Sequence, residues 1–124
     1  MRLPSALAFV IGAFAAFVSA SCATTMRHGT LGAPTVTSAG VRFALDRPEA
    51  HSVAVAGSFN QWSASSHTML RRDARSRWTI LVPLPPGEHL FMYVVDGTEW
   101  ISPPAAEDYA DDGFGAKNGI VVVR

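Results

Sequence analysis

Apolar residues occupy alternate positions along much of the chain after residue 40, the pattern of β-strands with one buried face. Val41, Phe43 and Leu45 form one such run, and Val53 and Val55 begin another. Proline and glycine interrupt the pattern about every eight to twelve residues, and no sustained helical periodicity follows residue 40. We therefore predict an all-β domain. Its cleanest period-two run consists of Trp78, Ile80, Val82 and Leu84.

Turn signals separate these runs and define the number of strands. Asp46-Arg47-Pro48 and Pro85-Pro86-Gly87 end two runs, and Asp96-Gly97 is a strong hairpin signal after the apolar stretch 88–95. A last strand is predicted over residues 120–123. About seven short strands of this kind suit an immunoglobulin-like β-sandwich. Its expected core comprises Phe43, Val53, Val55, Trp78, Ile80, Val82, Phe91, Tyr93 and Val122.

The amino-terminal residues have the composition of an export signal. Arg2 precedes an apolar run over residues 6–18, which is followed by small residues up to Cys22. This run is shorter than the ~20 apolar residues that a transmembrane helix needs. We therefore predict a signal peptide over residues 1–21 and an exported protein.

Cys22 is the single cysteine of the chain and directly follows the predicted signal. Residues 18–22 resemble the lipobox of bacterial lipoproteins, in which this cysteine becomes the lipid-carrying amino terminus. Ser19 departs from the aliphatic residue preferred three positions before the cysteine. The resemblance implies a lipid anchor at Cys22 and a location at the cell envelope, at the outer membrane or in the periplasm. The alternative is ordinary cleavage after Ala20, which gives a periplasmic or secreted protein.

Residues 23–40 are small and polar and lack apolar periodicity. We expect a flexible tether over residues 22–40 and a folded domain over residues 41–124. A random coil of this length spans roughly 20–25 Å on average, enough to separate the domain from a membrane surface.

Charge and motif content exclude several function classes. Ten basic and ten acidic residues balance, and no basic stripe follows a strand, so nucleic acid is not an expected partner. The arginines near residues 71–77 are expected in a solvated hairpin turn. No Gly-x-Ser-x-Gly motif is present, the four histidines lack metal-ligand spacing, and residues 108–113 do not form an EF-hand loop. We expect the last segment to be a solvated loop, and we expect no catalysis, cofactor or metal.

Two tryptophans fall outside the strand alternation. Trp62 follows a polar turn over residues 57–61, and Trp100 follows the predicted Asp96-Gly97 hairpin turn. A loop tryptophan either covers the core as a lid or presents its ring outward. An outward indole attracts weakly positive C–H groups, such as those on the faces of glucose rings. Asn60, beside Trp62, is then a candidate for the hydroxyls at the rim of a sugar.

Four motifs occur in an order that resembles a known domain: VAVAGSFNQW at residues 53–62, LPPGEH at 84–89, YVVDG at 93–97 followed by Trp100, and NGIVV at 118–122. They resemble the glycogen-binding domain, carbohydrate-binding module family 48, of the AMP-activated kinase β subunit, isoamylases and branching enzymes. The resemblance spans the chain after the tether and implies an early-set immunoglobulin-like sandwich.

The resemblance also implies roles for individual residues. Trp62 and Trp100 fall on the tryptophans that stack on glucose rings, and Asn118 falls on an asparagine that hydrogen-bonds sugar hydroxyls. Phe114 takes the place of a leucine that reaches across the sugar chain. Met92 and Ala116 replace a lysine and a threonine of the family, and the loop before Trp100 is one residue longer.

These observations predict a non-catalytic module that binds an α-glucan (glycogen, starch or a maltodextrin) and is held at the membrane by its lipid. Retention of Trp62, Trp100 and Asn118 favours this hypothesis. The alternative is a protein-interaction sandwich that has lost sugar binding and has a protein partner, which the replacement at Met92 favours.

Overall fold

The computed structural model describes residues 32–71 and 77–124. The predicted signal peptide and Cys22 lie outside these residues. Within the described part, no helix has the length and apolar character needed to cross a membrane. The described residues form nine strands: β1 Thr35–Thr37, β2 Gly40–Asp46, β3 Val53–Gly57, β4 Leu70–Arg71, β5 Arg77–Val82, β6 Gly87–Val95, β7 Glu99–Ile101, β8 Asp108–Asp111 and β9 Lys117–Val123.

The strands form two sheets. One has the order β1-β2-β5-β4, and the other has the order β3-β6-β9-β8, with β7 also paired to β6. Every strand pairing is antiparallel. The predicted all-β sandwich is therefore confirmed.

The core lies between the two sheets and consists almost entirely of the alternating apolar positions. Phe43 and Phe91 are fully buried, with ring centroids 5.0 Å apart in an edge-to-face arrangement. Trp78 is 7% exposed, and its Nε1–H donates to the Arg47 carbonyl. The Tyr93 hydroxyl of β6 donates to the Ala44 carbonyl of β2 and so joins the sheets, and burial raises the pKa of Tyr93. Ile80 is partly buried against this core.

The predicted core position at Val122 is wrong by one residue. Val121 is 2% exposed and belongs to the core cluster, whereas Val122 is only half-buried. Pairing of His89 with Val121 and of Phe91 with Gly119 sets this register. Residues 120–123 are all apolar, so alternation could not distinguish the two faces of β9.

The predicted tether also needs correction at its carboxyl end, because Thr35–Thr37 forms β1 and pairs with β2. The threonines favour a strand through their β-branched side chains. The Thr37 hydroxyl donates to the Gly40 carbonyl at 2.7 Å and accepts from the Ala39 N–H at 3.2 Å, which closes the turn between the strands.

Two further loop predictions prove to be strands. Asp108–Asp111, expected to be a solvated loop, forms β8 at the edge of the second sheet. Trp100, expected in a loop, lies at the centre of β7. Both strands are short and largely exposed, so they lack the apolar alternation from which the other strands were predicted.

Candidate functional site

The outer face of the second sheet carries a small apolar surface that faces away from the core. Ala54 and Ala56 of β3 pair directly with Val94 and Met92 of β6. Directly paired residues project to the same face of a sheet. All four side chains are less than 9% exposed, so something besides the opposite sheet covers them.

Trp62 provides part of that cover through an unusual turn. The Gly57 carbonyl accepts hydrogen bonds from the N–H groups of Asn60, at 3.1 Å, and Trp62, at 3.0 Å. Gln61 and Trp62 then adopt φ values of 56° and 58°. This left-handed conformation costs roughly 1–2 kcal/mol per non-glycine residue. The turn directs the half-buried indole of Trp62 onto Ala54, Ala56 and Val94.

Trp100 reaches the same face by strand register. Asp96 and Gly97 have φ values of 52° and 75° and connect β6 to β7 in a tight hairpin. Trp100 consequently pairs with Val94, and its side chain is 43% exposed. Neither indole is therefore a lid over the core between the sheets, and both lie at the outer face of the second sheet.

Asn118 of β9 is a buried polar residue on this face, only 8% exposed. Its side-chain amide makes no hydrogen bond to another described residue. No described side-chain nitrogen or oxygen is both sealed from solvent and unpaired, so the amide remains open to the outside. An amide of this kind can donate and accept hydrogen bonds to a ligand.

The loop between β8 and β9 adds two more side chains. Asp112 Oδ1 accepts hydrogen bonds from the N–H groups of Phe114, at 2.6 Å, and Ala116, at 3.1 Å. The Asp112 N–H in turn donates to the Ala116 carbonyl. Phe114 projects from the loop and is 94% exposed.

These side chains enclose one shallow depression of about 370 Å³. It brings together four of the five residues predicted to contact sugar. It adds Asp112, which was not predicted because a run of acidic residues resembles a solvated loop. Met92, where the resemblance predicts a lysine, also borders it. The lining residues are Trp62, Met92, Trp100, Asp112, Phe114 and Asn118.

Asn60, the fifth predicted contact, does not line the depression. Its Oδ1 accepts from the Gly57 N–H at 2.9 Å, and its Nδ2 donates to the Val55 carbonyl at 3.0 Å and to His67 Nδ1 at 2.9 Å. These bonds use the amide within the turn that carries Trp62. The structure thus places Asn60 behind the indole, in contact with the turn.

Depressions of about 350 and 430 Å³ also occur elsewhere in the described part. The first lies beside the β1–β2 turn, and the second lies on the outer face of the first sheet near Leu70 and Leu81. Neither contains a tryptophan. No cluster of three or more His, Cys, Asp or Glu side chains suited to a metal ion occurs within residues 32–71 and 77–124.

The chain is similar in sequence to known proteins over part of its length. The chain is 42% identical over 72 residues to the 1,4-alpha-glucan branching enzyme GlgB of Pseudomonas syringae pv. syringae, which is 57% of this chain and 10% of that enzyme. It is 40% identical over 70 residues to GlgB 1 of Xanthomonas campestris pv. campestris, 56% of this chain and 10% of the enzyme. The corresponding enzyme of Nitrosospira multiformis is 37% identical over 57 residues, 46% of this chain and 8% of the enzyme.

The chain thus spans about a tenth of the length of these relatives. A family described as the glycogen recognition site of AMP-activated protein kinase matches residues 41–124, which include all of β2 except Gly40, the strands β3 to β9 and every residue that lines the depression. The chain therefore belongs to this family of carbohydrate-binding modules, which are not themselves catalytic.

Proposed function

We propose that this protein binds α-1,4-linked glucan chains at the depression on the outer face of its second sheet, without acting on them chemically. The observation that carries the proposal is the convergence of two partly exposed indoles and one unpaired, buried amide on a single surface. Trp62, Trp100 and Asn118 come from three separate parts of the chain.

Each group has a distinct task in this proposal. The indole faces of Trp62 and Trp100 pack against the C–H faces of successive glucose units. The Asn118 amide then hydrogen-bonds sugar hydroxyls and so orients the chain. Because its hydrogen bonds are not made within the described protein, the amide exchanges water for sugar on binding without breaking an internal contact.

The choice of an α-1,4-linked glucan is supported by the family match and by relatives whose names specify 1,4-α-glucan. Affinity should be modest, because a shallow surface contacts few ligand atoms and must still offset the entropy lost on binding.

The test is a titration of the purified, exported protein with maltoheptaose, followed by tryptophan fluorescence. Trp62→Ala and Trp100→Ala should each weaken binding about tenfold or more, which corresponds to about 1.4 kcal/mol. Leu81→Ala is the matched control, because this residue is 40% exposed on the other sheet and should leave affinity unchanged. Cellohexaose, whose β-linked chain is straighter, tests selectivity.

Absence of a response to maltoheptaose and glycogen from the unaltered protein would refute the proposal. That outcome would favour the second candidate function, a protein-interaction surface. The observation favouring this alternative is the apolar rim residue Phe114, which is 94% exposed.

We also propose that the protein is exported and lipid-anchored through Cys22, which would place the depression at the cell envelope. Support comes from the apolar run over residues 6–18 and the position of the single cysteine. Two or more acyl chains give stable membrane attachment, whereas one gives marginal attachment. In a bacterial host fed an alkyne-labelled fatty acid, the unaltered protein should be labelled and Cys22→Ser should not. Equal absence of label in both proteins contradicts the anchor.

A further inference from the structure

Asp112 borders the depression, and one of its two carboxylate oxygens is uncommitted. Oδ1 accepts hydrogen bonds from the Phe114 and Ala116 N–H groups. Oδ2 makes no hydrogen bond or ion pair with any residue in the described ranges. The half-buried side chain borders the same surface as Trp62, Trp100 and Asn118. This second oxygen is therefore available to a ligand.

The orientation of this carboxylate is set by the protein. Besides the two hydrogen bonds to Oδ1, the Asp112 N–H donates to the Ala116 carbonyl at 3.1 Å. These bonds close the loop between β8 and β9 around the side chain. Neighbouring Asp111 lacks such a constraint. Its side chain is well exposed and makes only a 4.0 Å ion pair with the exposed Lys117.

Among the described residues that line the depression, Asp112 alone has an ionisable side chain. The other five lining side chains are uncharged. A charge on a partly desolvated surface without a paired cation interacts strongly with any charge that a ligand carries. The side chains that line the depression thus carry a single negative charge, on Asp112.

We infer that Asp112 restricts this site to glucan chains without anionic substituents, because Oδ2 accepts hydrogen bonds from neutral sugar hydroxyls and repels phosphate esters. The inference rests on the proposed function and specifies its ligand. A hydroxyl that donates to a carboxylate forms a charge-assisted hydrogen bond, which is stronger than a neutral one. A phosphate at the same position brings two like charges together. Asp112 is thereby a specificity-determining residue.

The test compares neutral maltoheptaose with a maltoheptaose carrying a phosphate monoester, using the full exported protein and calorimetry at low ionic strength. The unaltered protein should bind the neutral ligand roughly tenfold more tightly, as expected for like charges a few ångströms apart at a protein surface. Asp112→Asn retains the loop acceptor Oδ1 and removes the charge. It should reduce the preference to about threefold or less, with a modest loss of affinity for the neutral ligand.

Asp111→Asn is the matched control, since it removes an adjacent charge that does not line the depression; it should retain the preference. A thermal melt establishes that each variant is folded. Raising the salt concentration should also reduce the preference in the unaltered protein, because salt screens exposed charges, and this measurement requires no substitution.

Equal affinity of the unaltered protein for both ligands would overturn the inference while leaving glucan binding intact. An unchanged preference in Asp112→Asn would overturn it as well. Failure to bind even neutral maltoheptaose is a different result, which would refute both the proposed function and the inference that depends on it.

Discussion

The Asn60 side chain offers a sharp test of how the Trp62 turn is built. Asn60→Ala removes three hydrogen bonds, to the Gly57 N–H, the Val55 carbonyl and His67 Nδ1, with lengths between 2.9 and 3.0 Å. All three are partly buried, so water replaces them only in part. The substitution leaves the rest of the turn and the sheet below it unaltered.

A hydrogen bond contributes a net 0.5–1.5 kcal/mol on average, and less where water has access. We therefore expect Asn60→Ala to lower the free energy of unfolding by about 2–3 kcal/mol. In a domain of this size, each kcal/mol lost from the free energy of unfolding lowers the melting temperature by about 4–8 °C. The melting temperature should therefore fall by roughly 10–20 °C.

The assay is thermal denaturation followed by circular dichroism, together with a maltoheptaose titration well below the melting temperature. Binding should weaken as well, because the N–H of Asn60 and its side chain both tie the turn to Gly57, and this turn holds the Trp62 indole. Thr68→Ala is the control. Its hydroxyl is exposed and makes only a 3.5 Å contact with the Ser65 carbonyl, so it should shift stability by less than about 0.5 kcal/mol.

The same experiment decides the role predicted for Asn60 from the sequence. A direct sugar contact predicts weaker binding with an unchanged melting temperature, because the amide would then not support the turn. That outcome would refute the structural role argued above. A melting temperature within about 2 °C of the unaltered protein, whatever the affinity, would likewise refute the hydrogen-bond reasoning.

Two further predictions concern the fold. Hydrogen bonds from the backbone N–H groups of Ser52, the larger effect, and His51 hold the pKa of Asp96 below its ordinary 3.8. The ionised Asp96 carboxylate therefore stabilises the fold at neutral pH, and this stabilisation is lost as pH falls through the acidic range. Asp96→Asn should destabilise the protein more at about pH 7 than at pH 3 in urea denaturation, and an equal effect at both pH values contradicts this linkage. Val121→Ala should cost about 2 kcal/mol and Val122→Ala less than about 1 kcal/mol, since only Val121 lies in the core; the reverse order would show that the register of β9 is wrong.

The core between the sheets could be predicted well where one face of a strand is buried and the other is exposed to solvent. Burial along β2 alternates through most of its length, and Phe43 follows from that pattern alone. The pattern fails in β9, where four successive apolar residues serve two different faces. It also fails for β1 and β8, because these edge strands are mostly exposed and their side chains pack against little.

The candidate site could be predicted only in part, and for a related reason. The ring type of Trp62 and Trp100 and their motif context indicated a shared surface, and the two indoles do border one depression. The hydrogen-bond partner of a polar side chain is harder to predict from sequence, because an asparagine amide can bond to the backbone of its own turn or remain open to a ligand. Asn60 and Asn118 carry the same amide, yet the first is used within its turn and the second remains open. Asp112 differs from neighbouring Asp111 through the two backbone N–H groups that its carboxylate accepts from and through its place beside the depression.

The left-handed pair at Gln61 and Trp62 has a consequence for how this surface tolerates change in related sequences. The spacing of five residues from Gly57 lets the N–H of Trp62 reach the Gly57 carbonyl, so one inserted or deleted residue would rotate the indole away from β3 and β6. Substitutions at exposed positions of the turn leave that spacing intact. Turn length and Asn60 should therefore be held constant among relatives that keep the Trp62 platform, while exposed positions such as Gln61 tolerate more substitution.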